Sequence, residues 1–355
     1  MRRLALLFLP ALLLAIAGCR PPDARLPPEE QVEVPTGGEV VVFVETPRTL
    51  TAPILKMITD RTGIAVRATW REDDPGTFVD KLRTETAAGR ADLFFGNGAL
   101  TAVALARDGL GVPFRPERAR PIPPQYRDRG FRYLGYAADP RVILYNRDAM
   151  SRDTAPESIE NLVTGPWAGK AAIARPTDGG SAFQAAALIS RLGDERGLAL
   201  YRGIAAAGNR LVDNDGEVRK LVASGECAWG VINFDQAYLA GREAEPTTLR
   251  IPDGMGYGTV VVPHVAMLLR GGPNPQQARG VVDRLFGGNV VKMLGESDNA
   301  LVSLMPIVAM GFKKPEFVPL LGALNVLPVD NEAVYDAWVK HRQFLTTLGS
   351  PPTPP

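Results

Sequence analysis

Residues 39–70, EVVVFVETPRTLTAPILKMITDRTGIAVRATW, decide the fold class of this chain. The run EVVVFVE (39–45) is almost continuously β-branched or aromatic, which is typical of a strand covered on both faces. A helix is predicted over 49–61, because four aliphatic residues fall on one stripe and Gly63 follows as a C-terminal cap. IAVRATW (64–70) predicts a second strand, so the stretch forms one strand–helix–strand unit.

The same alternation continues toward the C-terminus. A helix is predicted around 77–88 and a third strand over 91–97 (ADLFFGN), which ends in a polar loop. Strands and helices that alternate at this spacing indicate an α/β fold with a parallel, doubly wound sheet. In such sheets ligands bind beyond the carboxyl ends of the strands, so loops 46–48 and 96–98 are candidate binding loops.

The chain is long enough for two domains. Its 355 residues exceed what one hydrophobic core usually supports. Residues 131–146 (FRYLGYAADPRVILYN) predict a long strand that carries the chain from one domain to the other. A second β/α region follows, and residues 256–269 (GYGTVVVPHVAMLL) are a candidate return crossing.

The N-terminus indicates export. Two arginines precede an apolar run over 4–16, which is shorter than the roughly 20 residues of a membrane span. The run ends in Ala17-Gly18-Cys19, which resembles a bacterial lipobox, so we expect a lipoprotein signal peptide over 1–18 and lipidation of Cys19. An ordinary secretory signal is the alternative. Segment 19–38 is expected to be a flexible tether, and 350–355 a disordered tail.

Composition excludes several function classes. The net charge of +1 gives no sign of a nucleic-acid partner. No HExxH, CxxC or GxSxG motif occurs, and the chain has only two histidines, so no nucleophile–base pair can be assembled. His264 is expected to be satisfied by local backbone, and Cys227 to be a buried apolar residue. The sequence therefore predicts a protein that is not an enzyme and needs no cofactor or resident metal.

Several motifs together carry a family resemblance. Besides residues 39–70, they are AGRADLFFGN, PRVILYNRDAM, NLVTGPWAGKAAIARPTDGGSAFQ, KLVASGECAWGVIN and GTVVVPHVAMLLRGGPNPQQARGVVDRLFGG, in that order. The chain resembles the type II periplasmic solute-binding proteins of ABC importers, in particular the ferric-iron-binding subfamily and its phosphonate and small-anion relatives. The resemblance implies two doubly wound α/β lobes joined by two crossing strands, with a ligand cleft between the lobes that closes on binding.

The implied domains are lobe 1 over 39–135 and 260–310, and lobe 2 over 136–259 and 311–349. The resemblance also implies a monomeric, lipid-anchored protein in the periplasm, with an ABC permease of the inner membrane as its partner. A ligand-sensing lipoprotein that docks a membrane sensor is an alternative function.

The turn PTDGGSAFQ (176–184) is the candidate anion site. It precedes an apolar-periodic helix predicted from about Ser181 to Leu192, and the first backbone N–H groups of a helix are unpaired and attract anions. The family holds an anion at this turn, so Gly180, Ser181 and Ala182 are the expected donors. An ordinary helix cap is the alternative, and the Asp178 carboxylate would repel an anion.

Other cleft residues come from the resemblance. Asn214 and Asn233 match asparagines beside the anion, although Asn214 in DNDG also suits a turn. Arg141 matches a hinge arginine that would supply charge to the cleft.

The positions of the ferric ligands carry other residues here. Adjacent tyrosines of the family correspond to Asp235 and Gln236, a histidine to Pro47, and a glutamate to Asn97. One carboxylate among neutral groups suits Fe³⁺ poorly. We therefore expect a small solute that bears an oxyanion: a zwitterionic aminophosphonate whose ammonium pairs with Asp235, or alternatively a plain organic anion or a polyol phosphate. A ferric-iron-binding protein with atypical ligands is the alternative.

Overall fold

The structure is a computed structural model that describes residues 28–73, 77–254, 256–296, 301–306 and 321–349. The predicted signal peptide, Cys19 and the predicted C-terminal tail lie outside these residues. Among the helices of the described part, none combines the length and the apolar character that crossing a membrane requires.

The described chain alternates strands and helices throughout. The strands are β1 (Glu39–Val44), β2 (Ala65–Trp70), β3 (Leu93–Asn97), β4 (Gly111–Val112), β5 (Leu134–Asn146), β6 (Ala171–Ala174), β7 (Arg210–Val212), β8 (Trp229–Asn233), β9 (Thr247–Arg250), β10 (Val261–Leu269) and β11 (Val302–Ser303). The helices are α1 (Arg48–Thr62), α2 (Phe78–Ala87), α3 (Leu100–Arg107), α4 (Gly179–Leu192), α5 (Asp194–Ala206), α6 (Asp215–Ala223), α7 (Phe234–Arg242), α8 (Pro275–Leu285), α9 (Gly288–Glu296) and α10 (Asn331–Thr346).

Lobe 1 is built on the sheet β2-β1-β3-β10-β5. β1 pairs in parallel with both β2 and β3, and β10 runs antiparallel to β3 and β5. The aliphatic and aromatic residues of β1 are buried on both faces, as the sequence predicted. Gly63 ends α1 in the left-handed conformation (φ 71°), and its N–H donates to the Thr59 carbonyl. The first predicted strand–helix–strand unit is therefore confirmed.

Lobe 2 is built on the sheet β5-β8-β6-β7, with β9 beside β5. β6 is parallel to β7 and β8, whereas β5 is antiparallel to β8. The long strand β5 serves both lobes, because residues 134–140 pair with β10 and residues 141–146 pair with β8 and β9. The crossing strand predicted over 131–146 is thus present, and the chain returns from β9 in lobe 2 to β10 in lobe 1.

The predicted tether differs from the observed chain where the two overlap. Residues 28–38, which we call the N-terminal strap, lie against lobe 1. Val32 and Val34 pack against its core, and the Gly37 N–H donates to the Thr62 carbonyl at 2.8 Å. Glu29 also pairs with Arg115 at 2.8 Å. The strap is not a free tether, because its apolar residues gain burial on lobe 1.

The C-terminal helix α10 contacts both lobes, although residues 311–349 were expected to belong to lobe 2 alone. Toward its N-terminus, Glu332 and Asp336 pair with Arg107 of lobe 1. Toward its C-terminus, Lys340 pairs with Asp194 of lobe 2, and the helix packs along α4. The bounds proposed for the two lobes otherwise remain a prediction.

Candidate functional site

The start of α4 presents free backbone donors between the lobes. The helix begins at Gly179, earlier than predicted, and Gly179 has a φ of 52° that favours glycine. Asp178 occupies the cap position with no side-chain cap bond. No described group accepts a hydrogen bond from the N–H of Gly180 or Ser181, so both can bind a solute. The Ala182 N–H, a predicted donor, is instead used by the Asp178 carbonyl at 3.1 Å.

The Ser181 side chain does not point to a solute. Its hydroxyl donates to the Arg175 carbonyl at 2.9 Å and to the Asp178 carbonyl at 3.0 Å. Ser181 therefore contributes its backbone N–H to the candidate site, and its hydroxyl holds the preceding turn in place.

Asn233 lies directly beside the start of α4. It ends β8, is only 8% exposed, and accepts a hydrogen bond from Arg141 Nη1 at 2.7 Å. A Cβ atom on Gly180 would lie 2.5 Å from Asn233 Oδ1, so the close approach requires glycine at that position. No described acceptor takes the Asn233 Nδ2 protons, which leaves this amide as a further donor.

Asn97 brings lobe 1 to the same place. It ends β3, and its Nδ2 lies 3.4 Å from the position that a Cβ atom on Gly179 would take. Its Oδ1 is buried with no hydrogen-bond partner among the described residues. The start of α4 is therefore covered by amides from both lobes.

Arg141 holds the residues beside the start of α4 in place through buried hydrogen bonds. It is 1% exposed and donates to Gln184 Oε1 at 2.7 Å, to Asn233, to the Val231 carbonyl and to Asp215. Asp215, which no sequence pattern singled out, neutralises the guanidinium, so Arg141 does not supply the free charge that was expected in the cleft. The signal was available in sequence only as an acidic residue at the start of a predicted helix.

Asn214 and Gln236 are held by local hydrogen bonds. Asn214 caps α6, because its Oδ1 accepts from the Glu217 N–H at 3.0 Å, as the turn alternative required. Gln236 Nε2 donates to Asp235 Oδ2 at 3.1 Å. Pro47 is half-buried in the cap position of α1, where its carbonyl accepts from the N–H groups of Leu50 and Thr51.

Asp235 belongs to a buried polar cluster in the hinge. Asp139 Oδ1 accepts from the Asp235 N–H at 3.3 Å, and Asp139 Oδ2 lies 3.9 Å from His264 Nε2. Burial raises the pKa of Asp139 to about 7, and burial together with the nearby Asp139 raises the pKa of Asp235 to about 8. Burial lowers the pKa of His264 to about 4. His264 Nδ1 faces Thr46 Oγ1 at 3.4 Å, so the expectation of a purely local backbone partner is not met.

An ion pair joins the lobes beside the start of α4. Arg71 of lobe 1 contacts Asp178 Oδ2 of lobe 2 at 2.7 Å and Glu45 Oε1 at 2.7 Å. Burial raises the pKa of Glu45, while the Arg71 guanidinium opposes that rise. Arg71 was not singled out in the sequence, and it removes much of the repulsion that Asp178 alone would exert on an anion.

The described residues hold no group of three or more His, Cys, Asp or Glu side chains arranged for a metal ion. The positions that correspond to ferric ligands, Pro47, Asn97, Asp235 and Gln236, all lie in the described part of the chain.

Comparisons with known proteins place the chain in a family of extracellular solute-binding proteins. Residues 91–321 match the family model of the bacterial extracellular solute-binding proteins. An Fe(3+)-binding periplasmic protein of Serratia marcescens is 29% identical over 185 residues, which cover 52% of this chain and 53% of that protein. The chain therefore spans about half the length of this relative. A probable ABC transporter periplasmic-binding protein of Sinorhizobium fredii is 23% identical, and the match covers 75% of each chain.

Solved structures share the fold over most of this chain. The apo ferric ion-binding protein A of Pasteurella haemolytica superposes with a TM-score of 0.75 at 19% identity, covering 87% of this chain and 97% of that one. The periplasmic binding protein AfuA of Actinobacillus pleuropneumoniae, with exogenous fructose-6-phosphate bound, gives a TM-score of 0.71 at 15% identity, over 87% and 97% of the two chains. These similarities confirm the predicted two-lobe fold of type II periplasmic binding proteins.

Proposed function

Because this chain belongs to the bacterial extracellular solute-binding protein family, we propose that it captures a small solute outside the cytoplasm and delivers it to an ABC permease. The family consists of binding proteins rather than enzymes. The Sinorhizobium relative, which is named as a probable ABC transporter component, supports this role. Closure of the two lobes around the solute would give the permease a distinct conformation to recognise.

The free donors at the start of α4 support our proposal that the solute bears an oxyanion. Backbone N–H groups of Gly180 and Ser181 and the Asn233 amide converge there from lobe 2, and Asn97 approaches from lobe 1. Unpaired N–H groups at a helix start attract an anion, and the nearby amides add donors without adding charge. A solute bound there would bridge both lobes.

A zwitterion such as an aminophosphonate is the finer proposal. Asp235 is buried in the hinge beside Asp139, and its carboxyl oxygens accept hydrogen bonds from the backbone N–H and the Nε2 of Gln236. An ammonium group beside Asp235 would favour the ionised form of this carboxyl. Gln236 and the Asn214 amide would complete the surroundings of that end.

Ferric iron is the second candidate. The Serratia relative and the Pasteurella structure carry ferric-binding names, and Asp139 and Asp235 are neighbouring oxygen donors in the hinge. Oxygen ligands suit a hard trivalent cation, although the described site offers few ionised ones.

We also propose a monomeric protein anchored in the periplasm through a lipid on Cys19, with docking to a membrane sensor as the alternative to a permease. Mass spectrometry of the membrane fraction, with Cys19→Ser as the control, tests the anchor.

The function is tested by thermal shift on residues 20–355. The panel contains phosphate, sulfate, aminoethylphosphonate, sugar phosphates and ferric citrate. A ligand at 100 times its dissociation constant should stabilise the protein by about 2.7 kcal/mol. We expect an oxyanion to produce this shift, and we expect Gly180→Ala and Asn233→Ala to abolish it. Asn289→Ala, an exposed asparagine on α9, is the control that should keep it.

A shift with ferric citrate alone, accompanied by a coloured complex, would replace the oxyanion proposal by the ferric one. A shift that survives both Gly180→Ala and Asn233→Ala would place the solute elsewhere.

A further inference from the structure

A cavity of about 630 Å³ lies on lobe 1, between the C-terminal end of α1 and the start of α9. We call it the α9 pocket. The charged side chains that line it are Asp60, Arg61, Arg118, Arg284 and Lys292. None of the residues proposed to bind the solute between the lobes lines this cavity. The α9 pocket is therefore separate from the proposed solute site, and its described lining is mainly cationic.

The positive charge of the α9 pocket exceeds the negative charge around it. Asp60, the one carboxylate of the lining, pairs with Lys56 at 2.7 Å. Arg118 pairs with the buried Asp283 at 3.0 Å, and Arg61 is exposed with no ion pair in the described part of the chain. An anion in the pocket would therefore meet guanidinium groups, while the carboxylate of the lining is already compensated.

Arg284 gives a second, independent indication of a ligand. It lines the pocket, and its Nε is buried with no hydrogen-bond acceptor among the residues that the structure describes. The neighbouring Asp283 carboxylate is already paired with Arg118. A buried guanidinium donor without an acceptor is unfavourable, and an oxyanion bound in the pocket would relieve this cost.

The start of α9 adds backbone donors to the same pocket. Gly288 and Asn289 are the first two residues of this nine-residue helix, and both line the pocket. No described group accepts a hydrogen bond from their N–H groups, whereas the Val291 N–H already donates to the Gly287 carbonyl at 3.1 Å. Free N–H groups at a helix start attract anions, and guanidinium groups bind phosphate oxygens in pairs. Together these donors suit a phosphate group.

The N-terminal strap runs beside the α9 pocket. Thr62, which lines the pocket, accepts a hydrogen bond from the Gly37 N–H at 2.8 Å. Nearer the beginning of the strap, the Glu30 carbonyl accepts from the Glu117 N–H at 3.0 Å, one residue before Arg118 of the pocket. The strap therefore attaches to the same side of lobe 1 on which the pocket lies.

The proposed lipid on Cys19 would bring this side of lobe 1 to a membrane. Nine residues separate Cys19 from residue 28, where the described strap begins. Fully extended, they span at most about 32 Å. A tether this short gives groups on the membrane surface a high effective concentration at the pocket. Among phosphate-bearing ligands, a tethered chain therefore meets phospholipid headgroups most often.

We propose that the α9 pocket is a second oxyanion site and that it binds the headgroup phosphate of an anionic phospholipid. The phosphate oxygens accept hydrogen bonds from the N–H groups of Gly288 and Asn289, and Arg61 and Arg284 balance the charge. Binding of this kind sets the orientation of lobe 1 on the membrane. It goes beyond the proposed solute capture, and it relies on the proposed Cys19 anchor only for the proximity of lipid.

Vesicle sedimentation of residues 20–355, which lack the lipidated cysteine, tests the site itself. One set of vesicles is phosphatidylcholine alone, and the other is a three-to-one mixture of phosphatidylcholine and phosphatidylglycerol. We expect binding to the mixture and not to phosphatidylcholine alone. Since an arginine near an anionic surface contributes a factor of about five to the affinity, Arg61→Gln and Arg284→Gln should each weaken binding about fivefold.

A matched control separates the pocket from the net charge of the chain. Arg196→Gln, at an exposed position of α5 in lobe 2, removes the same charge elsewhere and should not weaken binding. Arg61 is exposed at the end of α1, so Arg61→Gln keeps the test decisive if loss of the partly buried Arg284 unfolds lobe 1.

Equal binding to the two kinds of vesicle would overturn the inference, as would an equal loss of binding in Arg196→Gln. Soluble phosphate is the competing occupant, and thermal shift with inorganic phosphate in a Gly180→Ala background, which disables the proposed cleft site, tests it. A shift that Arg284→Gln removes, without vesicle binding, would replace the lipid by a soluble anion. Vesicle binding by a chain whose Cys19 carries no lipid in cells would support the pocket and end the anchor proposal. None of these outcomes alters the proposed solute site between the lobes.

Discussion

Arg141 shows how a single residue can be found in the sequence and still be misjudged. The family resemblance placed it in the hinge, and it is there, on β5 where the two sheets meet. Its partners Asp215 and Asn233 are 74 and 92 residues away in the chain. No local pattern reports such contacts, so the sequence could not show that its charge is already neutralised. Arg141 therefore positions Asn233 beside the proposed oxyanion site at the start of α4.

The hinge carboxyl groups give a pH prediction. The pKa of Asp235 is about 8 and that of Asp139 about 7 in the folded protein, against 3.8 for an ordinary aspartate. The folded state then binds more protons than the unfolded state, so the free energy of unfolding should fall as pH rises from about 4 to about 8. Asp235→Asn removes one of these groups and should flatten the fall. Urea unfolding at several pH values measures it.

The pH dependence of unfolding in Asp235→Asn and in the unsubstituted protein is best compared above about pH 6.5. His264, whose pKa is lowered to about 4, contributes the opposite slope between about pH 4 and 6.5. Asp60→Asn, at an exposed position of α1, is the matched control and should follow the unsubstituted protein. An unchanged slope in Asp235→Asn between about pH 6.5 and 8 would show that Asp235 is ionised in the folded protein.

At the scale of elements, local patterns predict the strands and helices of lobe 1. They do not always predict the residue at which an element begins, as α4 of lobe 2 shows. The start of α4 was predicted near Ser181 and lies at Gly179. Gly179 adopts a left-handed conformation and Gly180 packs against Asn233, so tertiary contacts decide where this helix begins. That two-residue difference matters, because it determines which N–H groups are free.

The N-terminal strap is expected to stabilise lobe 1. A chain that begins at residue 39 loses the packing of Val32 and Val34 and the hydrogen bond from Gly37, all of which a chain that begins at residue 28 keeps. Partial burial of two valines suggests a loss of about 2 kcal/mol in the free energy of unfolding. Urea denaturation of the two forms measures the difference.

Substitution within the longer chain separates packing from truncation. Val32→Ser with Val34→Ser should reproduce most of the loss, and Glu33→Ser, at an exposed position between them, should not. Equal stability of the two truncated forms would mean that the strap lies on lobe 1 without contributing to its stability.

For the whole molecule, the important contacts are those between the lobes. Arg71 pairs with Asp178 across the cleft, and α10 is attached to Arg107 on one lobe and to Asp194 on the other. Contacts of this kind favour the closed arrangement whether or not a solute is present. The stronger they are, the less free energy solute binding must supply to close the lobes.

Loss of the Arg71–Asp178 pair should shift the molecule toward the open form. Asp178 is about half exposed, so the pair contributes at most about 1 kcal/mol, and Asp178→Asn should raise the ratio of open to closed molecules by up to about fivefold. Single-molecule energy transfer between labels at exposed positions 56 in lobe 1 and 195 in lobe 2 reports this ratio.

The control lies within one lobe. Asp213→Asn breaks the pair with Arg175 inside lobe 2 and should leave the distribution unchanged. High salt should move the unsubstituted protein toward the Asp178→Asn result, because exposed ion pairs are screened. Identical distributions for all three proteins would show that this pair does not contribute to closure.

The sequence by itself determined the class of this molecule. Continuous apolar strands, amphipathic helices and the Gly63 cap are local features, since each depends on residues only a few positions apart, and they specify an α/β fold without further information. The order of motifs added the family, and the resemblance proposed the turn 176–184 as an anion site. Only the tertiary structure decided what surrounds that turn: Arg71 paired with Asp178, Asp215 paired with Arg141, and Asp139 beside Asp235 in the hinge. These residues come from distant parts of the chain, and only folding brings them to the same helix start.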